Sequence, residues 1–108
     1  MAIINQLIKV TCGTTLLLFS SALFAHFPLM QCWSKGNTIE CETGYSDGSN
    51  AVDYQVRMFD YDDILIAKVM TDKRSIATFT KSTDEFYLVF DSGHESPVEV
   101  DSVEISEK

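Results

Sequence analysis

The sequence is poor in positive charge and lacks the short motifs that mark many enzymes. Its 108 residues include 8 lysines and arginines against 16 aspartates and glutamates, a net charge of −8. Phosphate backbones and anionic lipids repel such a chain, so we expect it to bind neither nucleic acid nor a membrane surface. It has no glycine-rich phosphate loop, GxSxG elbow or HExxH helix. We therefore predict that the protein is not an enzyme.

The sequence also lacks an apolar run long enough to favour a membrane-spanning helix. One cation, Lys9, precedes an uncharged stretch that runs to Ala25 and has small residues near its end. This pattern predicts a secretory signal peptide over residues 1–25 and a single domain over residues 26–108, with cleavage after Ala22 as the alternative. Once the leader is removed, we expect a periplasmic protein that does not insert into the membrane.

Cysteine is scarce, since Cys12 leaves with the predicted leader and two cysteines remain. Gly36-Asn37 predicts a two-residue hairpin turn, and counting outward from it places Cys32 opposite Cys41 in a non-hydrogen-bonded pair. Because an exported chain meets oxidising conditions, we predict a disulfide between them. The alternative is a pair of metal-binding thiolates, although the spacing is not that of a CxxC knuckle.

Apolar residues alternate with period two along most of the remaining chain, which predicts strands rather than helices. The hairpin around Gly36 supplies two strands, and short polar turns separate the others. Further strands are predicted at residues 52–58, 65–69, 76–80, 85–90 and 98–105. Seven short strands in one small domain predict an all-β fold, a seven-stranded antiparallel β-sandwich of immunoglobulin-like or transthyretin-like type.

The alternation of antiparallel strands sorts the loops between the two ends of this sandwich. The N-terminus shares one end with the loops at 44–50, 71–75 and 91–96, and we call this end the histidine pole. Both histidines of the chain, His26 and His94, belong to it. The acidic segment DYDD at residues 60–63 is expected at the opposite end, as a hairpin turn rather than a calcium loop.

A mature chain that begins at His26 has an α-amine and an imidazole that can close a chelate ring on one metal ion. With His94 as a third nitrogen ligand, such a site suits Ni(II), Co(II), Cu(II) or Zn(II). Asp47 and Asp91 are predicted to hydrogen-bond the ligating imidazoles and orient them. The alternative is that His94 is an ordinary exposed loop residue and that Asp47-Gly48 only forms a turn.

The order of these features resembles a known group of exported domains. An Ala-His junction is followed by CW…IECETGYSDGS, then by strands, VFDSGHESPVEV and a terminal VEI. The chain is thereby similar to small carboxypeptidase-regulatory-like, transthyretin-like sandwich domains that accompany nickel and cobalt uptake transporters of the energy-coupling type. The resemblance implies periplasmic metal binding for uptake rather than catalysis. It matches His26 and His94 to the two histidines of that group.

The sequence thus predicts an exported monomer that captures a divalent metal ion, with nickel or cobalt favoured, and presents it to a membrane transporter component. Two other functions remain open. One is a periplasmic copper protein that uses the same N-terminal amine and imidazole. The other is a module that binds a protein through a sheet edge or its loops, without any metal.

Overall fold

A computed structural model describes residues 26–93 and 95–108, which form eight strands and one 3₁₀-helix. The elements are β1 (Pro28–Lys35), β2 (Thr38–Tyr45), β3 (Gln55–Asp60), β4 (Leu65–Met70), β5 (Ile76–Thr80), β6 (Phe86–Phe90), β7 (Val98–Asp101), the 3₁₀-helix (Ser102–Glu104) and β8 (Ser106–Glu107). The all-β prediction is confirmed. None of the described residues belongs to a helix long and apolar enough to cross a bilayer.

The first hairpin follows the predicted register. Lys35 pairs with Thr38 across the turn, and Cys32 lies opposite Cys41. Gly36 has a φ of 60°, the left-handed conformation that this tight turn requires. The disulfide between Cys32 and Cys41 is present, and both residues are buried. The alternative of two metal-binding thiolates is therefore wrong.

The strands form two four-stranded sheets, in the orders β5-β2-β1-β8 and β4-β3-β6-β7. All pairs are antiparallel except β1 with β8, which run parallel. The two sheets pack face to face over one apolar core, as the alternating burial along β2, β5 and β6 indicates. Its largest fully buried apolar side chains are Phe79, Phe90, Ile39, Met58, Leu88 and Val56.

The predicted count of seven strands is wrong, because the last segment is interrupted. Residues 98–105 were expected to form one strand, but β7 ends at Asp101, whose carboxylate accepts the Val103 N–H and caps the 3₁₀-helix. The chain then turns towards the other sheet. There β8 pairs with Trp33 and Ser34 of β1, which adds an eighth, parallel strand.

The third strand also begins later than predicted. Residues 52–54 have the alternating pattern of a strand, yet β3 starts at Gln55. Asp53 adopts a φ of 62°, which no regular strand residue has. Just before it, the buried Ala51 donates its N–H to the Ser75 hydroxyl and accepts a hydrogen bond from the Thr71 hydroxyl. These bonds hold the segment as a link between the two sheets.

Candidate metal site at the histidine pole

Hydrogen bonds join the 71–75 loop to the two residues that flank the 44–50 loop at the histidine pole, Thr43 and Ala51. The Ser75 carbonyl accepts the Thr43 N–H at 2.8 Å, and the Ser75 hydroxyl accepts the Ala51 N–H at 3.0 Å. Thr71 donates its hydroxyl hydrogen to the Ala51 carbonyl at 2.7 Å. The chain entering β3 is thus fixed to the loop between β4 and β5. This agrees with the expectation that antiparallel strands bring these two segments to the same end of the sandwich.

The backbone just before β1 is hydrogen-bonded to the loop that follows β2. The Phe27 N–H donates to the Ser46 hydroxyl at 3.0 Å, and the Ser46 N–H donates to the Phe27 carbonyl at 2.9 Å. These two bonds fix the backbone immediately after His26. The position of His26 therefore depends on this loop as well as on β1.

Within the described part of the chain, the His26 side chain contacts Tyr45 and Asp47, the two sequence neighbours of Ser46. Its ring stacks on the Tyr45 ring, with centroids 4.5 Å apart and planes 17° from parallel. Its Nε2 lies 3.3 Å from the Asp47 carboxylate, and about half of each of these two side chains is exposed. A neutral imidazole has one protonated and one unprotonated ring nitrogen. When the proton is on Nε2 and points at a carboxylate, the free lone pair is on Nδ1.

Asp47 is held in place by its own turn. One carboxylate oxygen, Oδ1, accepts the Ser49 hydroxyl at 2.7 Å and the Ser49 N–H at 3.0 Å, while Oδ2 faces His26. Gly48, at φ 90°, makes this turn, and its N–H donates to the Tyr45 carbonyl. The hydrogen bonds from Ser49, and then the nearby His26, lower the pKa of the Asp47 carboxyl. Asp47 is therefore ionised at neutral pH.

Tyr45 connects His26 to the core. The centroid of the Tyr45 ring lies 6.1 Å from that of Phe90 and 6.2 Å from that of Tyr54. His26 therefore covers the outer end of an aromatic cluster in which Tyr45 and Phe90 are buried and Tyr54 is half buried. Among the described residues, the buried hydroxyls of Tyr45 and Ser92 have no hydrogen-bond partner. Burial raises the pKa of the Tyr45 phenol, and the Ser92 hydroxyl opposes part of that rise. Ser92 thus brings the start of the 91–96 loop close to the stack.

The structure brings Asp47, but not Asp91, to His26. The Asp91 carboxylate accepts the Gly93 N–H within its own loop at 2.9 Å, and among the described residues it forms no ion pair with His26. His94 lies outside the described residues, so its part in the site remains a prediction. Within the described ranges, no three histidine, cysteine or acidic side chains are grouped closely enough to hold a metal ion.

Tyr45 is the site residue that the sequence analysis missed. The signal for its burial was present, because Ile39, Cys41 and Thr43 of β2 also alternate into the core. Its stacking on His26 had no such signal. Two hydrogen bonds between Phe27 and Ser46, from different strand ends, bring the histidine over the ring.

The tyrosines of this protein are expected to make its stability fall at high pH. Burial raises the pKa of Tyr45 to about 12, and a hydrogen bond to Asp63 raises that of Tyr87 to about 12. An unfolded tyrosine titrates near pH 10. The folded state therefore favours the neutral phenols, and this stabilisation is complete below about pH 10 and is lost as the pH rises to about 12.

Urea unfolding at a series of alkaline pH values measures this loss, and the near-ultraviolet absorbance of phenolate follows the tyrosines directly. Tyr45→Phe keeps the ring and removes the ionising group, so the decline should become shallower in that variant. If all four tyrosines ionise near pH 10 in the folded protein, the proposed effect of burial on Tyr45 is contradicted.

No family model matches the chain, and neither a curated protein nor a solved structure is significantly similar to it.

Proposed function

We propose that this is an exported protein that binds a divalent metal ion at the histidine pole and presents it to a membrane transporter component for uptake. Nickel and cobalt are the favoured ions. The observation that carries the proposal is the contact between Asp47 and Nε2 of His26. It favours a lone pair on Nδ1, the ring nitrogen that can close a chelate ring with the α-amine of the same residue.

The surroundings of His26 support the proposal that it binds a metal ion. The stack on Tyr45 and the carboxylate of Asp47 restrict the imidazole from two sides, so little rotational freedom remains to be lost when a metal binds. The half-exposed ring leaves a path for an ion from solvent. His94 is proposed as the third nitrogen, on the basis of the sequence and its resemblance to metal-uptake domains.

Copper is the alternative cargo. Nitrogen donors bind Cu(II) more tightly than Ni(II), Co(II) or Zn(II), whatever the biological ion is. Tight copper binding by the isolated protein therefore agrees with the proposed ligands and does not identify the cargo. The choice among the ions rests on the resemblance to nickel and cobalt uptake domains.

Of the two sandwich types expected, we favour the immunoglobulin-like one. In that type the second strand pairs with the fifth, and the third pairs with the sixth, which in turn pairs with the seventh. The orders β5-β2-β1-β8 and β4-β3-β6-β7 contain these pairings. Here β4 pairs with β3 rather than with β5, which is a variation on the constant-domain order.

The proposal is tested by blocking the α-amine while keeping every side chain. The chain that begins at His26 is compared with the same chain acetylated on its α-amine, and Ni(II) binding is measured by titration calorimetry at neutral pH. Acetylation turns the α-amine of His26 into an amide and leaves no other terminal amine nearby to take its place. Loss of the chelate is expected to lower the affinity by about 100-fold or more.

The same titration repeated at lower pH tests the donor atoms. Imidazole and amine must lose protons to bind, so affinity should fall steeply below about pH 6. The pKa of Asp47 is lowered, so this carboxylate stays charged as that fall begins and does not cause it. Equal affinities of the two chains, or binding that is unchanged down to about pH 5, would exclude the proposed ligands.

A further inference from the structure

The edge strand β4 exposes more apolar surface than a strand at a solvated edge normally does. It lies at one end of the sheet β4-β3-β6-β7 and pairs only with β3 among the described strands. Four large apolar side chains on it or next to it are half exposed or more: Ile64 (60%), Leu65 (46%), Ile66 (45%) and Met70 (53%). An edge of this kind is open to a further strand.

The direction of the backbone groups shows which residues a new strand would meet. Thr71 donates its N–H to the Tyr54 carbonyl at 2.7 Å and accepts the Asp53 N–H at 3.1 Å, so its backbone groups face β3. These groups alternate along an antiparallel strand, and those of Met70 and Lys68 therefore face away from the sheet. Both residues are available for strand pairing.

The side chains of β4 alternate in the same way from Ile66 to Met70, whereas Leu65, beyond a register shift in the pairing with β3, is exposed as well. Ala67 and Val69 are half buried and pack against the core, whereas Ile66, Lys68 and Met70 are exposed. Side chains on one face of a strand recur at every second position. The outer face of β4 therefore has a cation between two apolar residues.

Two cations lie side by side on this face. Lys68 stands opposite Arg57 of β3, and both are exposed. Arg57 donates a hydrogen bond to the Gln55 side chain, but among the described residues neither cation forms an ion pair. This is notable in a chain with twice as many acidic as basic residues. A carboxylate arriving opposite Lys68 would be attracted by both cations.

We propose that β4 binds an extended segment of a partner protein as an added strand. The segment has an acidic residue opposite Lys68 and apolar residues opposite Ile66 and Met70. A second copy of this chain fits less well, because an antiparallel pairing that sets Ile66 opposite Met70 also sets Lys68 opposite Lys68. The surface requires no metal ion at the histidine pole.

Two capped synthetic peptides test the proposal against the protein with its disulfide intact. Both have the alternating sequence Thr-Val-Thr-X-Thr-Val-Thr, with X either Glu or Lys. Binding is followed by the amide NMR shifts of the protein. The Glu peptide is expected to bind about tenfold more tightly than the Lys peptide and to shift the amides of β4, and Lys68→Glu is expected to reverse the order.

Lys73→Glu is the matched control, since Lys73 is also exposed but lies in the loop after β4. It should leave the preference for the Glu peptide in place. If Lys68→Glu does not fold, Lys68→Ala should reduce the preference for the Glu peptide to the smaller part that Arg57 contributes. Equal affinities for the unaltered protein, shifts confined to another edge, or self-association through β4 in sedimentation equilibrium would each overturn the proposal.

Discussion

Phe90→Ala is expected to lower the free energy of unfolding by about 3–5 kcal/mol. Phe90 is fully buried in the core, with its ring 5.9 Å from Tyr54 and 6.1 Å from Tyr45. Alanine removes the ring and leaves a cavity that the two packed sheets can fill only in part. Because small domains are stable by about 5–15 kcal/mol in total, a loss of this size is a large fraction of the stability.

Urea unfolding followed by circular dichroism measures this change. Val103→Ala is the control, since Val103 is 76% exposed and its truncation should change the stability by no more than about 0.5 kcal/mol. Equal unfolding midpoints for the two variants would contradict the placement of Phe90 in the core. Phe90→Ala should also bind Ni(II) more weakly, because Phe90 supports the Tyr45 ring on which His26 stacks.

His26→Ala is expected to lower the Ni(II) affinity by about 1,000-fold. The variant keeps the α-amine but has no imidazole, so the chelate ring does not form. About half of the His26 side chain is exposed, and its loss leaves the core intact. The unfolding midpoint should therefore change little, which separates a loss of binding from a loss of structure. Titration calorimetry and urea unfolding of the same preparation provide the two measurements.

Two further variants measure how much Asp47 and His94 each contribute to the Ni(II) affinity. Asp47→Asn keeps the shape of the side chain and removes its charge, so the affinity should fall by about tenfold, as it does when a residue that orients a ligand is changed. His94→Ala should also lower the affinity if His94 is the third nitrogen. An unchanged affinity in His26→Ala would show that the metal binds elsewhere.

The first hairpin could be predicted from the sequence because its determinants are local. Gly36-Asn37 fixes the turn, and strand geometry then fixes every pair back to Cys32 and Cys41. The grouping of the loops at the histidine pole followed from the alternation of antiparallel strands, and it needed no detail of packing. Both predictions depend on backbone geometry alone.

The features that were missed depend on contacts between distant segments. The 3₁₀-helix after Asp101 and the parallel pairing of β8 with β1 join the two ends of the domain. A period-two pattern does not distinguish this path from one continuous strand. The late start of β3 results from hydrogen bonds of Ala51 with Thr71 and Ser75, which follow it by 20 and 24 positions in the chain.

The placement of His26 and Asp47 at one end of the sandwich was expected from the sequence, and the structure shows their side chains in contact. The aromatic platform was not expected, because stacking depends on where the chain before β1 meets the loop after β2. Asp91 belonged to the same pole, but its carboxylate bonds to the backbone of its own loop.

The metal site is tested most directly by the native mass spectrum of the protein as a cell exports and processes it. The spectrum is recorded at neutral pH with sub-stoichiometric Ni(II), Co(II) and Cu(II). We predict a chain that begins at His26, has a mass two hydrogens below that of the reduced form, and carries one metal ion. A chain that begins at Leu23, or one that stays free of metal, would contradict the site and leave protein binding through β4 as the better explanation.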